Sequence, residues 1–229
     1  MLKENITRRG FKRIIKSNGG YYIYSDNGRL IKFDRIYASD IVKFGDLYSH
    51  SSEINPYQIE WLSSLNGIVK NSSLPIGTVN YKSTAVGVIY PHYFYGFNSL
   101  QNISNEDSIL FLQNIKAAIL NNMELMQNGI YNNDFGFKNI LYSGSHVELI
   151  DLDGKHIKRK EDSNPTRVYT YFIQDLRKSI YFKLIKLYGE IEAKKIMSEI
   201  DILFQSYSSY EEDTPLELVE SIEKTKILK

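Results

Sequence analysis

A chain of 229 residues with 42% hydrophobic and 24% charged residues has enough apolar material for a real core and the composition of an ordinary globular protein. Its formal net charge of +1 argues against a general nucleic-acid binder, which carries a basic excess. With no cysteine, a disulfide scaffold, a thiolate zinc site and a cysteine nucleophile are all excluded.

In chain order, the opening "MLKENITRRG" lacks the apolar core of a signal peptide, and no apolar run is long enough to span a bilayer. A cytoplasmic location without membrane partners is the expectation. Residues 21–35, "YYIYSDNGRLIKFDR", read as two strands joined at Asn27-Gly28, a pair suited to the positive φ angles of a tight hairpin. "DIVKF" (40–44) reads as a further short strand. Residues 52–67 read as a helix with Ile59, Leu62 and Leu65 on one face and Asn66-Gly67 as the stop. Strands are expected at 76–81 and 84–90, the second ended by Pro91.

The second half is mainly helical. Residues 104–129 give the strongest helix, with Ser104 expected as its N-cap. Leu112, Ile115, Ile119, Met123 and Met126 follow at helical spacing, and Asn128-Gly129 closes it. A loop is expected over 131–139, then the strand "ILY", a Ser-Gly turn and the strand "VELI". Two or three helical patterns fill 168–228. The order is that of an α+β protein: a small β-rich lobe (about 1–90) followed by a larger α-rich lobe (about 91–229).

Within "GIYNNDFGFKNILYSGSHVELIDLDG" (129–154), Asp134, Asn139 and Asp151 stand between segments that look built to be buried. Two strands joined by a short turn would bring Asn139 and Asp151 side by side. Converging side-chain oxygens suit Mg²⁺, which takes one or two protein oxygens and completes its shell with water and phosphate. A nearby aspartate could accept the proton of an attacking hydroxyl.

Here the sequence resembles the protein-kinase-like superfamily of phosphotransferases over about residues 20–180. The family's catalytic loop reads H-R-D, then N after four residues, with D-F-G or D-x-D a strand-turn-strand later. "NNDFGFKN" matches at Asp134 and Asn139, and "LIDLDG" at Asp151, with Asp153 where protein kinases have glycine. The resemblance implies a bilobal fold with an antiparallel-sheet N-lobe and a mainly helical C-lobe. It also implies Asp134 as catalytic base, and Asn139 and Asp151 as ligands of Mg²⁺ on the phosphates of ATP. Lys138 would reach the transferred phosphate or the acceptor, or else face solvent. The sequence departs from the family at Asn132 and Asn133, where histidine and arginine stand. Asn132 must then brace the loop through its amide, and a phosphorylated activation loop has no arginine to meet there.

The family also needs a strand lysine for the α- and β-phosphates and a helix glutamate to hold it. Lys43 with Glu60 is the preferred pair, under a phosphate loop "SDNG"; Lys32 with Glu53, under "SNGG", is the alternative. Neither loop is a full G-x-G-x-x-G. "GVIYPHY" (87–93) resembles the strand entering the hinge between lobes, with the backbone of Ile89 and Tyr90 expected to hydrogen-bond adenine. His50, His92, His146 and His156 are scattered and read as surface or loop residues. The basic run "KHIKRK" (155–160) reads as a solvated loop or as a receiver for an anionic acceptor.

The expectation is an ATP- and Mg²⁺-dependent kinase acting on a hydroxyl, Ser/Thr of a protein first and a small molecule second. The rivals are a pseudokinase that binds nucleotide or a partner without catalysis, and a nucleic-acid module using "KHIKRK".

Overall fold

A computed structural model describes residues 2–5, 13–16, 21–24, 29–33, 54–81, 84–91, 96–207 and 214–228. It is an α+β protein that divides into two compact units. The first comprises residues 1–69, 73–95 and 151–155; the second comprises 70–72, 96–150 and 156–229. The main division between the units falls between residues 95 and 96. The short segment Asp151–Lys155 returns to the first unit, an exchange that no composition shift signals.

The first unit is built on a six-stranded sheet of order β1-β5-β6-β4-β3-β2, with β1 Leu2–Asn5, β2 Arg13–Lys16, β3 Tyr21–Tyr24, β4 Leu30–Phe33, β5 Gly77–Tyr81 and β6 Thr84–Tyr90. Only β1 and β5 run parallel. The β3–β4 pairing is antiparallel and aligns Tyr21 with Phe33 and Tyr24 with Leu30. Helix α1, Pro56–Ser64, is shorter than the pattern suggests. Asn55 sets its start by accepting from the amides of Tyr57 and Gln58, and Pro56 occupies the first turn, where a missing N–H costs nothing. Ile59 and Leu62 are fully buried, and Ile59 packs with Val88 and Tyr90. Each such side chain contributes roughly 1.5–3 kcal/mol of burial. Gly87 is small for a reason: a Cβ there would come within 3.2 Å of both the Lys32 carbonyl and the Phe33 ring.

In the second unit, helix α2 (Ser108–Gln127) buries Phe111, Leu112, Ile115, Ala118, Ile119, Leu125 and Met126, while Met123 is only half-buried. Its N-cap is Asp107, whose Oδ1 accepts from the Leu110 amide at 2.8 Å, and not Ser104. Ser104 lies inside a separate 3₁₀ turn, Leu100–Asn105, started by Ser99. Asn128 and Gly129 close α2, Gly129 at φ 79°. Strands β7 (Asn98–Ser99), β9 (Ile140–Ser143) and β10 (His146–Leu149) form a three-stranded sheet, and α2 packs on β10. Asn114 and Asn121 of α2 donate to the carbonyls of Gly144 and Val147, which fastens the β9–β10 hairpin to the helix.

The loop expected over 131–139 begins later than expected. Strand β8, Ile130–Asn132, pairs with β11, Ile157–Arg159, which occupies part of the basic run read as a loop. A 3₁₀ turn, Lys160–Asp162, leads to the short helix α3 (Pro165–Val168), then α4 (Thr170–Tyr188), α5 (Glu190–Ser206) and α6 (Thr214–Lys224). Gly189, at φ 79°, both ends α4 and precedes α5. No helix among the described residues is long and apolar enough to cross a membrane.

Candidate functional site

Residues 132–139, in the second unit, carry one group of candidate residues. The backbone here is held at almost every residue. Asn132, buried at the end of β8, accepts from the Asp134 amide through Oδ1 at 2.9 Å. The Asn133 amide donates to the His156 carbonyl beside β11 at 3.0 Å. Phe135 and Phe137 point into the core: the Phe135 ring stacks on Phe172 of α4 at 4.7 Å, and Phe137 meets the same ring edge-on at 5.2 Å. The Phe137 amide donates to Asp175 of α4 at 2.9 Å, and its carbonyl accepts from Ser99 at 3.2 Å. Gly136 leaves room for that aspartate, since a Cβ would lie 3.2 Å from its Oδ2. The amide bracing expected of Asn132 is therefore present, shared with an aspartate and a phenylalanine that the sequence did not indicate.

This frame aims three polar side chains. The Asn139 amide donates to the Asp134 carbonyl at 2.9 Å and to the Asp134 carboxylate at 3.1 Å. With the amide nitrogen engaged there, its Oδ1 is left to accept or to ligate. Lys138 pairs with the same carboxylate at 2.9 Å, with its side chain 56% exposed, so the pair is weak and displaceable. Asp134, Lys138 and Asn139 thus come together as one group.

The β9–β10 register carries the chain onward. Leu149 lies opposite Ile140, and the Ile150 amide donates to the Asn139 carbonyl at 2.9 Å. Asp151 is the next residue, in the left-handed region at φ 63°, which aspartate tolerates better than most side chains.

The first unit holds a separate polar cluster. Lys32, on β4 between β3 and β6, places its ammonium on Asp151 and, at 3.0 Å, on Asp153. Burial pushes the Asp153 carboxyl up from its ordinary value, and neighbouring Asp151 adds to this; Lys32 and the Tyr90 hydroxyl act the other way. Leu152, fully buried between the two acids, and the bond from Gln58 Nε2 of α1 to the Gly154 carbonyl at 3.1 Å hold this turn.

The remaining expected residues fall as follows. Lys43 and Glu53 lie outside the described residues, as do 17–20 and 25–28. Glu60, the expected partner of Lys43, is exposed on α1 and forms no ion pair among the described residues, while Lys32 meets Asp151 and Asp153. Ile89 is fully buried and its carbonyl accepts from the Ile76 amide at 2.8 Å; that carbonyl serves the sheet, not an open edge. Tyr90 is buried with its hydroxyl toward Asp153. In the basic run, Ile157 is buried, Lys158 half-buried, and Arg159 and Lys160 exposed.

Among the described residues no three His, Cys, Asp or Glu side chains gather as a metal cage. Compared with known proteins, the chain matches no family model, and no curated protein matches it.

Proposed function

We propose that the chain is an ATP- and Mg²⁺-dependent kinase of bilobal, protein-kinase-like fold that transfers the γ-phosphoryl group to a hydroxyl. The observation that carries this reading is the double hydrogen bond from Asn139 to Asp134, in a backbone register that delivers Asp151 one residue past the Asn139 partner.

The donor set fits the ion. Asn139 Oδ1 and the Asp151 carboxylate are hard oxygens of the kind and number that Mg²⁺ accepts from protein. Held by Asn139 and Asp151, the ion would supply neutralisation of negative charge on the nucleotide phosphates. Asp134 orients the acceptor hydroxyl and takes its proton, its own position fixed by Asn132 and Asn139. Lys138 leaves Asp134 for the transferred phosphoryl group, and Lys32 holds the phosphates.

A serine or threonine of a protein is the first acceptor. A small-molecule alcohol is the second, favoured by the few residues between Asp151 and α3, which leave little room for a peptide platform. Labelled ATP, Mg²⁺ and a cell lysate, with protein and small products separated, distinguish the two. Wild type should transfer label, and Asp134→Ala and Asp151→Asn should lose at least a hundredfold. Variants that transfer at the wild-type rate would overturn the reading.

A further inference from the structure

We propose that Asp153 is the positioning residue for Lys32: it keeps that ammonium aimed at the nucleotide phosphates when Asp151 turns to the metal. The inference rests on the kinase reading above and adds a role to a residue outside the D-x4-N and metal positions.

One ammonium cannot stay bound to Asp151 if that carboxylate is to ligate a cation. Lys32 meets two acids whose surroundings differ. The Asp151 side chain is 27% exposed and the Asp153 side chain 7%. Asp151 therefore has access to an ion arriving from solvent, whereas Asp153 is buried beside Lys32 and the Tyr90 hydroxyl. A buried carboxylate that gave up its cation would bear an uncompensated desolvation penalty, so Asp153 holds Lys32 while Asp151 leaves.

The frame around the pair is stiff. Lys32 lies on an interior strand of the sheet, in register with Tyr22 and Val88, and Gln58 fixes the turn just after Asp153 through the Gly154 carbonyl. With Asp153 holding one side of the ammonium, the donor that Asp151 gives up can turn to phosphate oxygens.

The test is a double-mutant cycle on binding of a fluorescent ATP analogue with Mg²⁺, with unfolding midpoints recorded for every variant. Asp153→Asn should weaken binding at least tenfold at saturating Mg²⁺, as should Lys32→Met. The double variant should be no weaker than the worse single, because the two act through one contact. Additive losses would overturn the proposal, as would an effect of Asp153→Asn on the Mg²⁺ requirement alone, the mark of a metal ligand. Wild-type binding by Asp153→Asn would overturn it while leaving the kinase reading intact; no binding by wild type would overturn both. If Asp153→Asn does not fold, Asp153→Glu keeps the charge and shifts it by one methylene. It should weaken binding several-fold, and unchanged affinity would overturn the proposal.

Discussion

The Asn139 side-chain amide donates to Asp134 twice, at 2.9 Å to its backbone carbonyl and at 3.1 Å to its carboxylate. The pair closes the 132–139 loop and fixes which way each side chain faces. Replacing the amide by a carboxylate sets two like charges about 3 Å apart, where one must take up a proton or move away. Asn139→Asp is expected to lose phosphoryl transfer at least a hundredfold. Asn139→Ala should lower stability by about 1–2 kcal/mol through the lost hydrogen bonds. Transfer rates and chemical unfolding measure both, and an Asn139→Asp enzyme of full activity would refute the assignment.

A second expectation concerns a residue distant in sequence. Asp175 accepts from the Phe137 amide at 2.9 Å, and its place is kept by Gly136. Asp175→Ala leaves that amide without its acceptor in a largely enclosed setting, at a cost of roughly 1–3 kcal/mol. Because the residue belongs to the second unit, nucleotide affinity should be unchanged while the transfer rate falls. Steady-state kinetics separate the two, and a change confined to the KM for ATP would contradict this role.

Phe172 supports the same loop from below. It is fully buried against Phe135, Phe137 and Tyr169. Phe172→Ala should destabilise by about 3–5 kcal/mol, through lost transfer energy plus the cavity left behind. Against a total of roughly 5–15 kcal/mol, that is enough to deplete the folded chain in cells. Phe172→Leu should cost less. Soluble yield and unfolding midpoint, ordered wild type, Leu, Ala, are the check.

What the sequence disclosed follows from how local each signal is. The period of α2 was readable because Leu112, Ile115, Ile119 and Met126 repeat within one element. Its N-cap was misread because Ser104 and Asp107 both suit the position, and only the 3₁₀ turn from Leu100 to Asn105 decides between them. Strand β8 was hidden inside an expected loop: three residues show no alternation, and the partner β11 lies on the far side of the β9–β10 hairpin. The grouping of Asp134, Lys138 and Asn139 was legible, as all three sit within six residues. The acids meeting Lys32 are 119 and 121 positions away and belong to a segment exchanged between units, so nothing near Lys32 pointed to them. Nor did any spacing reveal Asp175 or Phe172, whose contacts arise only when α4 packs against the loop.

The last expectation is a pH dependence. Glu148, on β10, is buried, and burial raises its carboxyl from 4.5 to about 7; His146 lies 3.5 Å away on the exposed side. Between those two values the folded chain holds a proton that the unfolded chain has released. The slope of stability against pH is therefore negative across that window and levels off above about pH 7. The full difference is on the order of 3 kcal/mol at 1.36 kcal/mol per pKa unit. Glu148→Gln stays neutral throughout and has no such slope. It should match wild type near pH 5 and exceed it near pH 8 by up to that amount. Denaturant unfolding of the two proteins at both values isolates this group, because every other titration is common to them; identical pH profiles would show that Glu148 ionises in the folded chain without penalty.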